Sequence, residues 1–296
     1  MIVALSNCWK DFLVPIPLSD ALAGQAEAAA GKIADLRRPG RYLVSSALAG
    51  AYIGVAIVLL VSVTGPLNAA SSPWTKLVQG LVFGIALTAV IFAGAELSTG
   101  NMMTMVQGAI LRRRGVGAGI AVILGSFVGN LIGSVVFAWL VHESGVLQVG
   151  GTPGHAAPAA ALLAGVVKAK AAESGGMLFF RGVLCNFLVC LAVWMSARTK
   201  SDGAKLGLIF WCLLAFIGSG FEHVVANMTV FSLGMFEHVP GATAGAFGTN
   251  LLLVGLGNLV GGGLLVGAAY GFLGRSKTAL ARPETELDKQ LSPAAV

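Results

Sequence analysis

Gly220-Phe221-Glu222-His223-Val224-Val225-Ala226-Asn227-Met228 interrupts an apolar run that extends from Leu206 to Met235. A run of that length crosses a bilayer, whose hydrocarbon core takes about 20 helical residues. A glutamate and a histidine in its middle are costly to bury and mark a functional position. The pattern has a precedent in the chain: Gly94-Ala95-Glu96-Leu97-Ser98-Thr99-Gly100-Asn101-Met102, inside the apolar run Leu77 to Leu111. In both, the glutamate stands two residues after the glycine, and Asn-Met stands five and six after the glutamate. Matching polar interruptions in two halves of a membrane chain predict paired discontinuous helices around a transport site.

The rest of the composition agrees. Of 296 residues, 56% are hydrophobic and 11% charged, with a mean hydropathy of +0.84, which excludes a soluble globular domain of this size. Cys8, Cys185, Cys190 and Cys212 are scattered, and no Cys/His cluster is present, so neither a disulfide framework nor a metal site is expected. No cofactor or nucleic-acid partner is expected, and the N-terminus does not read as a signal peptide.

Six apolar spans are predicted, over Tyr42–Thr64, Leu77–Leu111, Val116–Val141, Met177–Ala197, Leu206–Met235 and Thr243–Leu273. The second and fifth are too long for one straight crossing, and each contains its polar interruption, so both are predicted to be broken helices. Basic residues cluster before the first span (Lys10, Lys32, Arg37, Arg38, Arg41), after the second (Arg112, Arg113, Arg114), after the fourth (Arg198, Lys200, Lys205) and after the sixth (Arg275, Lys277, Arg282, Lys289). The opposite loops hold Lys76, Lys168 and Lys170. Both termini are therefore expected in the cytoplasm, with a long loop from His142 to Ser174 facing outward. Residues 1–40 read as a cytoplasmic N-terminal segment with a short helix, at the membrane surface or packed beneath the bundle. Residues 41–274 read as the membrane domain and 275–296 as a flexible cytoplasmic tail. Gly129-Asn130-Leu131-Ile132-Gly133 recurs as Gly257-Asn258-Leu259-Val260-Gly261. Two three-span halves in tandem must insert with opposite orientation, which gives an all-α fold with an inverted 3+3 repeat.

Breaking a helix inside a membrane frees backbone N–H groups that need partners. Glu96 and Glu222, with Asn101 and Asn227 beside them, are expected to serve the breaks; a proton relay is the alternative role for the glutamates. His223 has Leu97 as its counterpart, so the repeat does not require it. It reads as a buried imidazole hydrogen-bonded to Thr99, or as a titratable group in the permeation path. Half-helix N-termini aimed at the break favour an anion. Lys170 reads as a solvated loop lysine or as part of a basic vestibule.

These stretches resemble the formate/nitrite transporter family over residues 40–273. The resemblance is carried by Ser45 to Tyr52, Phe83 to Leu87, Gly94 to Asn101, Arg181 to Asn186, Leu188 to Trp194 and Cys212 to Thr229, and is strongest to the nitrite-channel branch at Trp211 to Ile217 and Ala226 to Thr229. It implies a homopentamer of aquaporin-like protomers in a bacterial inner membrane, each with its own pore. It implies His223 as the central pore histidine with Thr99 as its partner, Asn186 near the histidine and Lys170 in the vestibule. It further implies an outer constriction of Phe83 and Phe216 and an inner one of Leu87, Leu97 and Val189. The family usually has Phe where this chain has Ser98, which widens the inner ring.

The expected function is passage of a small monovalent weak-acid anion, nitrite first, as its transiently protonated acid with His223 as proton partner. Formate, hydrosulfide and proton-coupled symport are the alternatives. Asn-Pro-Ala repeats of a water channel, paired pore histidines of an ammonium channel and a His-Glu-x-x-His protease motif are all missing, so an enzyme is not expected.

Overall fold

The structure, a computed structural model, describes residues 15–112 and 115–274. The expected tail at 275–296, Cys8, Lys10, Arg113 and Arg114 lie outside the described residues. Every regular element described is helical, apart from one isolated bridge between Thr152 and His155. Five helices are long and apolar enough to cross a membrane: Pro39–Ala69, Thr75–Ala93, Val116–Glu143, Gly175–Ser196 and Ala244–Leu273. The chain is a multi-pass helical membrane protein.

In order, α1 is Leu18–Asp35, α2 is Pro39–Ala69, α3 is Thr75–Phe83, α4 is Ile85–Ala93, α5 is Ser98–Arg112 and α6 is Val116–Glu143. Then come α7 (Pro158–Ala172), α8 (Gly175–Ser196), α9 (Asp202–Gly218), α10 (Val224–Phe236) and α11 (Ala244–Leu259). A π-helical segment, Val260–Ala268, leads into α12 (Ala269–Leu273). Local chemistry sets several starts. Pro39 stands at the first position of α2, where its missing N–H costs nothing. Ser174, Ser201 and Thr243 each accept the N–H three residues on, at the heads of α8, α9 and α11.

α6 shows how a membrane reverses the usual pattern. Val116, Ile120, Leu124, Val128, Ile132 and Val136 recur every fourth residue and are exposed. Its buried face carries Ser126, Gly129, Asn130, Gly133 and Ser134. Small and polar residues let helices approach and hydrogen-bond, while the apolar stripe faces lipid or a neighbouring subunit. Through that buried face α6 packs on α2, and α8 packs on α11 in the same manner. Among the described residues the main apolar cluster includes Phe83, Leu87, Leu97, Val189, Phe216 and Val224, and two smaller ones lie against α1.

One expectation needs correction. The segment from His142 to Ser174 is not a long loop: it holds a short 3-10 turn at Val146–Gln148 and all of α7, with Leu162, Leu163 and Val167 buried. The Ala-rich stretch is too short and too weakly apolar to announce a span, yet it packs on α2. Of the two placements expected for the N-terminal helix, α1 takes the docked one: it buries Ala21, Leu22, Ala26, Ala29 and Ala30 and packs mainly on α5.

Candidate functional site

The two polar motifs fall where helices stop and restart. α4 ends at Ala93 and α5 begins at Ser98; α9 ends at Gly218 and α10 begins at Val224. Gly94 (φ 76°) and Gly220 (φ 73°) take the left-handed conformation that closes a helix and that a side chain would strain. Ala95 N donates to Val90 O at 2.9 Å and Phe221 N to Phe216 O at 3.1 Å, the same closing bond twice.

The freed backbone groups are served by asparagines. Ser98 N donates to Asn130 Oδ1 at 2.9 Å, while Asn130 Nδ2 donates to the carbonyls of Ser46 (2.7 Å) and Glu96 (2.8 Å). Val224 N donates to Asn258 Oδ1 at 2.9 Å, and Asn258 Nδ2 donates to the carbonyls of Gly182 (2.8 Å) and Glu222 (3.0 Å). This corrects the role expected for the glutamates. An ionised carboxylate only accepts, whereas an amide meets an N–H and two carbonyls together. Asn130 and Asn258 stood out in the sequence only as marks of a repeat; their presence at one place in both Gly-Asn-Leu motifs was the signal.

Glu96 and Glu222 instead bind lysines. Lys32 Nζ donates to both Glu96 oxygens at 2.6 Å, and Asn101 Nδ2 donates to Glu96 Oε2 at 3.1 Å. Lys170 Nζ donates to the Glu222 oxygens at 2.7 and 2.6 Å, and Asn227 Nδ2 donates to Glu222 Oε2 at 2.7 Å. Lys170 is thus neither in a loop nor solvated: it sits on α7, with its side chain 16% exposed, against a nearly buried carboxylate. Lys32, which the sequence offered only as an orientation charge, occupies the matching place on α1.

His223 is buried at the head of α10. Its Nδ1 accepts the Ala226 N–H at 3.2 Å. A neutral ring that accepts at Nδ1 carries its proton on Nε2, and Nε2 lies 3.1 Å from Thr99 Oγ1. The ring therefore donates to the threonine hydroxyl. Thr99 is held through its backbone as well: its carbonyl accepts from Asn186 Nδ2 (3.2 Å) and Cys190 Sγ (3.3 Å). Asn186 thus touches the partner of His223 rather than the ring itself. It also donates to the Asn258 carbonyl at 2.7 Å. That carbonyl stands next to the π-helical segment, where Gly262 leaves room for the Asn186 and Cys190 side chains.

Phe216 lies beside the imidazole of this pair. The rings of Phe83 and Phe216 meet edge to face with centroids 5.5 Å apart, and the Phe216 centroid lies 6.2 Å from that of His223. Leu87, Leu97 and Val189 are buried in the same cluster. Ser98 is fully buried, and its hydroxyl has no hydrogen-bond partner among the described residues. No group of three His, Cys, Asp or Glu side chains able to hold a metal stands together among them.

Two helix interruptions, each clamped by an asparagine from a neighbouring helix and flanked by a part-buried lysine–carboxylate pair, define a membrane protein built around a central polar pair. Residues 20–272 match the profile of the formate/nitrite transporter family, and the chain belongs to that family. Over 246 residues it is 43% identical to the nitrite transporter NirC of Salmonella typhimurium, covering 81% of this chain and 87% of that one. Among solved structures it is similar to an FNT family ion channel (TM-score 0.78, 40% identity, 86% of this chain and 98% of that one). It is also similar to a pentameric formate channel with formate bound (TM-score 0.68, 27% identity, 80% and 98%).

Proposed function

We propose that the chain is a channel for small monovalent weak-acid anions, nitrite foremost, in a bacterial cytoplasmic membrane. In this reading residues 41–274 form the channel unit, with both termini in the cytoplasm and five copies assembled as a homopentamer. Its six crossings are α2, α3–α5, α6, α8, α9–α10 and α11–α12, an inverted 3+3 repeat in which the second and fifth crossings are broken. The similarity to nitrite transporters and to a pentameric formate channel supports the substrate class and the assembly. The basic clusters at one set of loops support the orientation.

The observation that carries the proposal is the buried His223–Thr99 hydrogen bond, with Phe216 beside the imidazole and Leu87, Leu97 and Val189 in the same apolar cluster as Phe83 and Phe216. A bare anion is very costly in an apolar constriction, and its neutral acid much less so. Nε2–H and the Thr99 hydroxyl are the donors placed between the constrictions. Because Nδ1 is engaged with the Ala226 N–H, the ring gains a second proton only by releasing that bond. Once it does, taking that proton on Nδ1 from pore water, the Nε2 proton passes to an oxygen of the anion, the neutral acid moves on through the apolar ring, and the imidazole is left uncharged with its proton on Nδ1. The cap on α10 re-forms when Nδ1 releases that proton to water and Nε2 takes one up, so that each cycle moves one proton from water to the anion. Lys170 acts here through Glu222: the pair keeps the vestibule wall near neutrality, so that Glu222 does not repel the anion.

The test is competition in liposomes containing purified protein, with nitrite against formate, hydrosulfide and chloride. Nitrite should outcompete the others and chloride should be excluded. Formate or hydrosulfide winning would move the substrate to that anion. Uptake that scales with the proton gradient and not with voltage would replace the channel by a proton-coupled symporter using the same site. Chloride passing as readily as nitrite would overturn the protonation reading.

A further inference from the structure

An apolar groove of about 330 Å³ lies between α1, α5 and α6, and no residue of the pore lines it. Ala29, Ile33, Met105, Gly108, Gly119 and Ile123 form much of its wall, which has almost no polar surface. The volume is that of a ligand site, but the lining offers nothing to an ion or a polar solute. A flexible hydrocarbon fits it.

The surroundings say which hydrocarbon. Ile33 stands on the last turn of α1, and the chain then turns into α2 through Arg37 and Arg38, with Arg41 on the first turn of α2. All three arginines are exposed and make no ion pair among the described residues. Asp35 is the one acid on this turn, and Lys32 is already engaged by Glu96. Leu36 and Tyr42 bring the turn against α6 at Gly125, two residues beyond the groove residue Ile123. An apolar slot beside unpaired cations at one end of the membrane helices complements a phospholipid with an anionic headgroup, since each arginine near a membrane surface favours such a lipid.

We propose that this groove seats an acyl chain of an anionic phospholipid whose headgroup phosphate is held by Arg37, Arg38 and Arg41. The lipid then braces α1, and with it Lys32, against α5 and α6.

The experiment is native mass spectrometry of the full-length assembly released from vesicles of mixed phosphatidylglycerol and phosphatidylcholine. Wild type should retain phosphatidylglycerol over phosphatidylcholine by about tenfold or more. The triple variant Arg37→Gln/Arg38→Gln/Arg41→Gln should lose that preference. Gly115→Leu, where a Cβ meets nothing within 4 Å, fills the groove and should lower retention of both lipids. Ile120→Trp places a reporter at the groove wall and does not depend on a disruptive change. Brominated phosphatidylglycerol should quench its added fluorescence more than brominated phosphatidylcholine does. Equal retention of the two lipids by wild type, or an unchanged preference in the triple variant, overturns the proposal. So does dissociation of the assembly by Gly115→Leu when wild type retains no lipid, an outcome that makes the groove a contact between two copies of the chain.

Discussion

His223 performs two bonding tasks with two ring nitrogens, and a pair of substitutions separates them. In His223→Asn the amide oxygen takes the place of Nδ1 and keeps the cap on Ala226, but the side chain is too short to reach Thr99. In His223→Gln the terminal amide reaches Thr99 and the cap is lost. Losing the cap costs about 1 kcal/mol. Leaving the Thr99 hydroxyl without its partner in an apolar wall costs about 1–3 kcal/mol. Both variants should therefore still fold, with melting temperatures lowered by a few degrees. Neither side chain titrates, so both should lose proton donation. In liposomes, nitrite and chloride fluxes are measured from about pH 5 to pH 8, where a proton-dependent step changes by up to about tenfold per pH unit. Wild type should favour nitrite strongly and show that dependence. Both variants should pass nitrite at no more than about a tenth of the wild-type rate, with a flattened profile and a reduced nitrite-to-chloride ratio. A pentameric variant that keeps the wild-type ratio and pH profile would refute the proton-partner reasoning and leave His223 as a helix cap.

Further predictions follow from the neighbouring contacts. Lys170→Met strands the Glu222 carboxylate, whose side chain is 6% exposed, and should cost about 3–5 kcal/mol of stability as well as most of the flux. Lys170→Met/Glu222→Gln should recover a large part of the melting temperature, and absence of any rescue would mean that Lys170 acts on the anion directly. Asn258→Ala leaves Val224 N–H and the carbonyls of Gly182 and Glu222 unpaired, and should lower stability by about 3 kcal/mol or more. Asn258→Asp should be no better, because it lacks the two donated bonds; thermal unfolding in detergent reads both. Ser98→Phe removes a buried hydroxyl that has no partner and should reduce conductance while narrowing the range of permeant acids. Equal acetate flux in the two forms would take Ser98 out of the limiting ring.

The interruptions were legible in the sequence because each is set by residues within a few positions of one another. A glycine that can take positive φ, a carboxylate two residues on and an asparagine five beyond that make a local pattern, and Gly94 and Gly220 adopt it. Thr99 could be offered as the partner of His223 from its place in the matching interruption, and the family resemblance implies the same pair, although the two stand on different helices. What a single sequence does not carry is which distant group completes a break. Asn130 reaches Ser46 and Glu96, and Asn258 reaches Gly182 and Glu222, across separations that no periodicity encodes. Lys32 was hidden for a different reason. Surface-helix lysines are ordinarily solvated, and only the docking of α1 on α5 turns this one inward. α7 was missed because its alanines give neither a long apolar run nor a clear polar face.

The matched and unmatched parts of the two interruptions separate frame from chemistry. Lys32, Glu96, Asn101 and Asn130 in one half correspond to Lys170, Glu222, Asn227 and Asn258 in the other, bond for bond. Five of the nine motif positions differ between the halves, and two of these carry the polar pair: Leu97 stands where the other half has His223, and Val225 where the first has Thr99. Those two departures are joined by a hydrogen bond between the halves. The shared set also limits how an anion is held. The N-terminal ends of α5 and α10 carry positive dipole ends that attract it, but Ser98 N–H and Val224 N–H are already committed to asparagine oxygens. In the proposed channel an anion therefore meets a favourable potential in which these two backbone donors are not free to hold it, and conduction requires weak binding. Of the two side chains joined there, His223 and Thr99, the imidazole is the one that can also give up a proton.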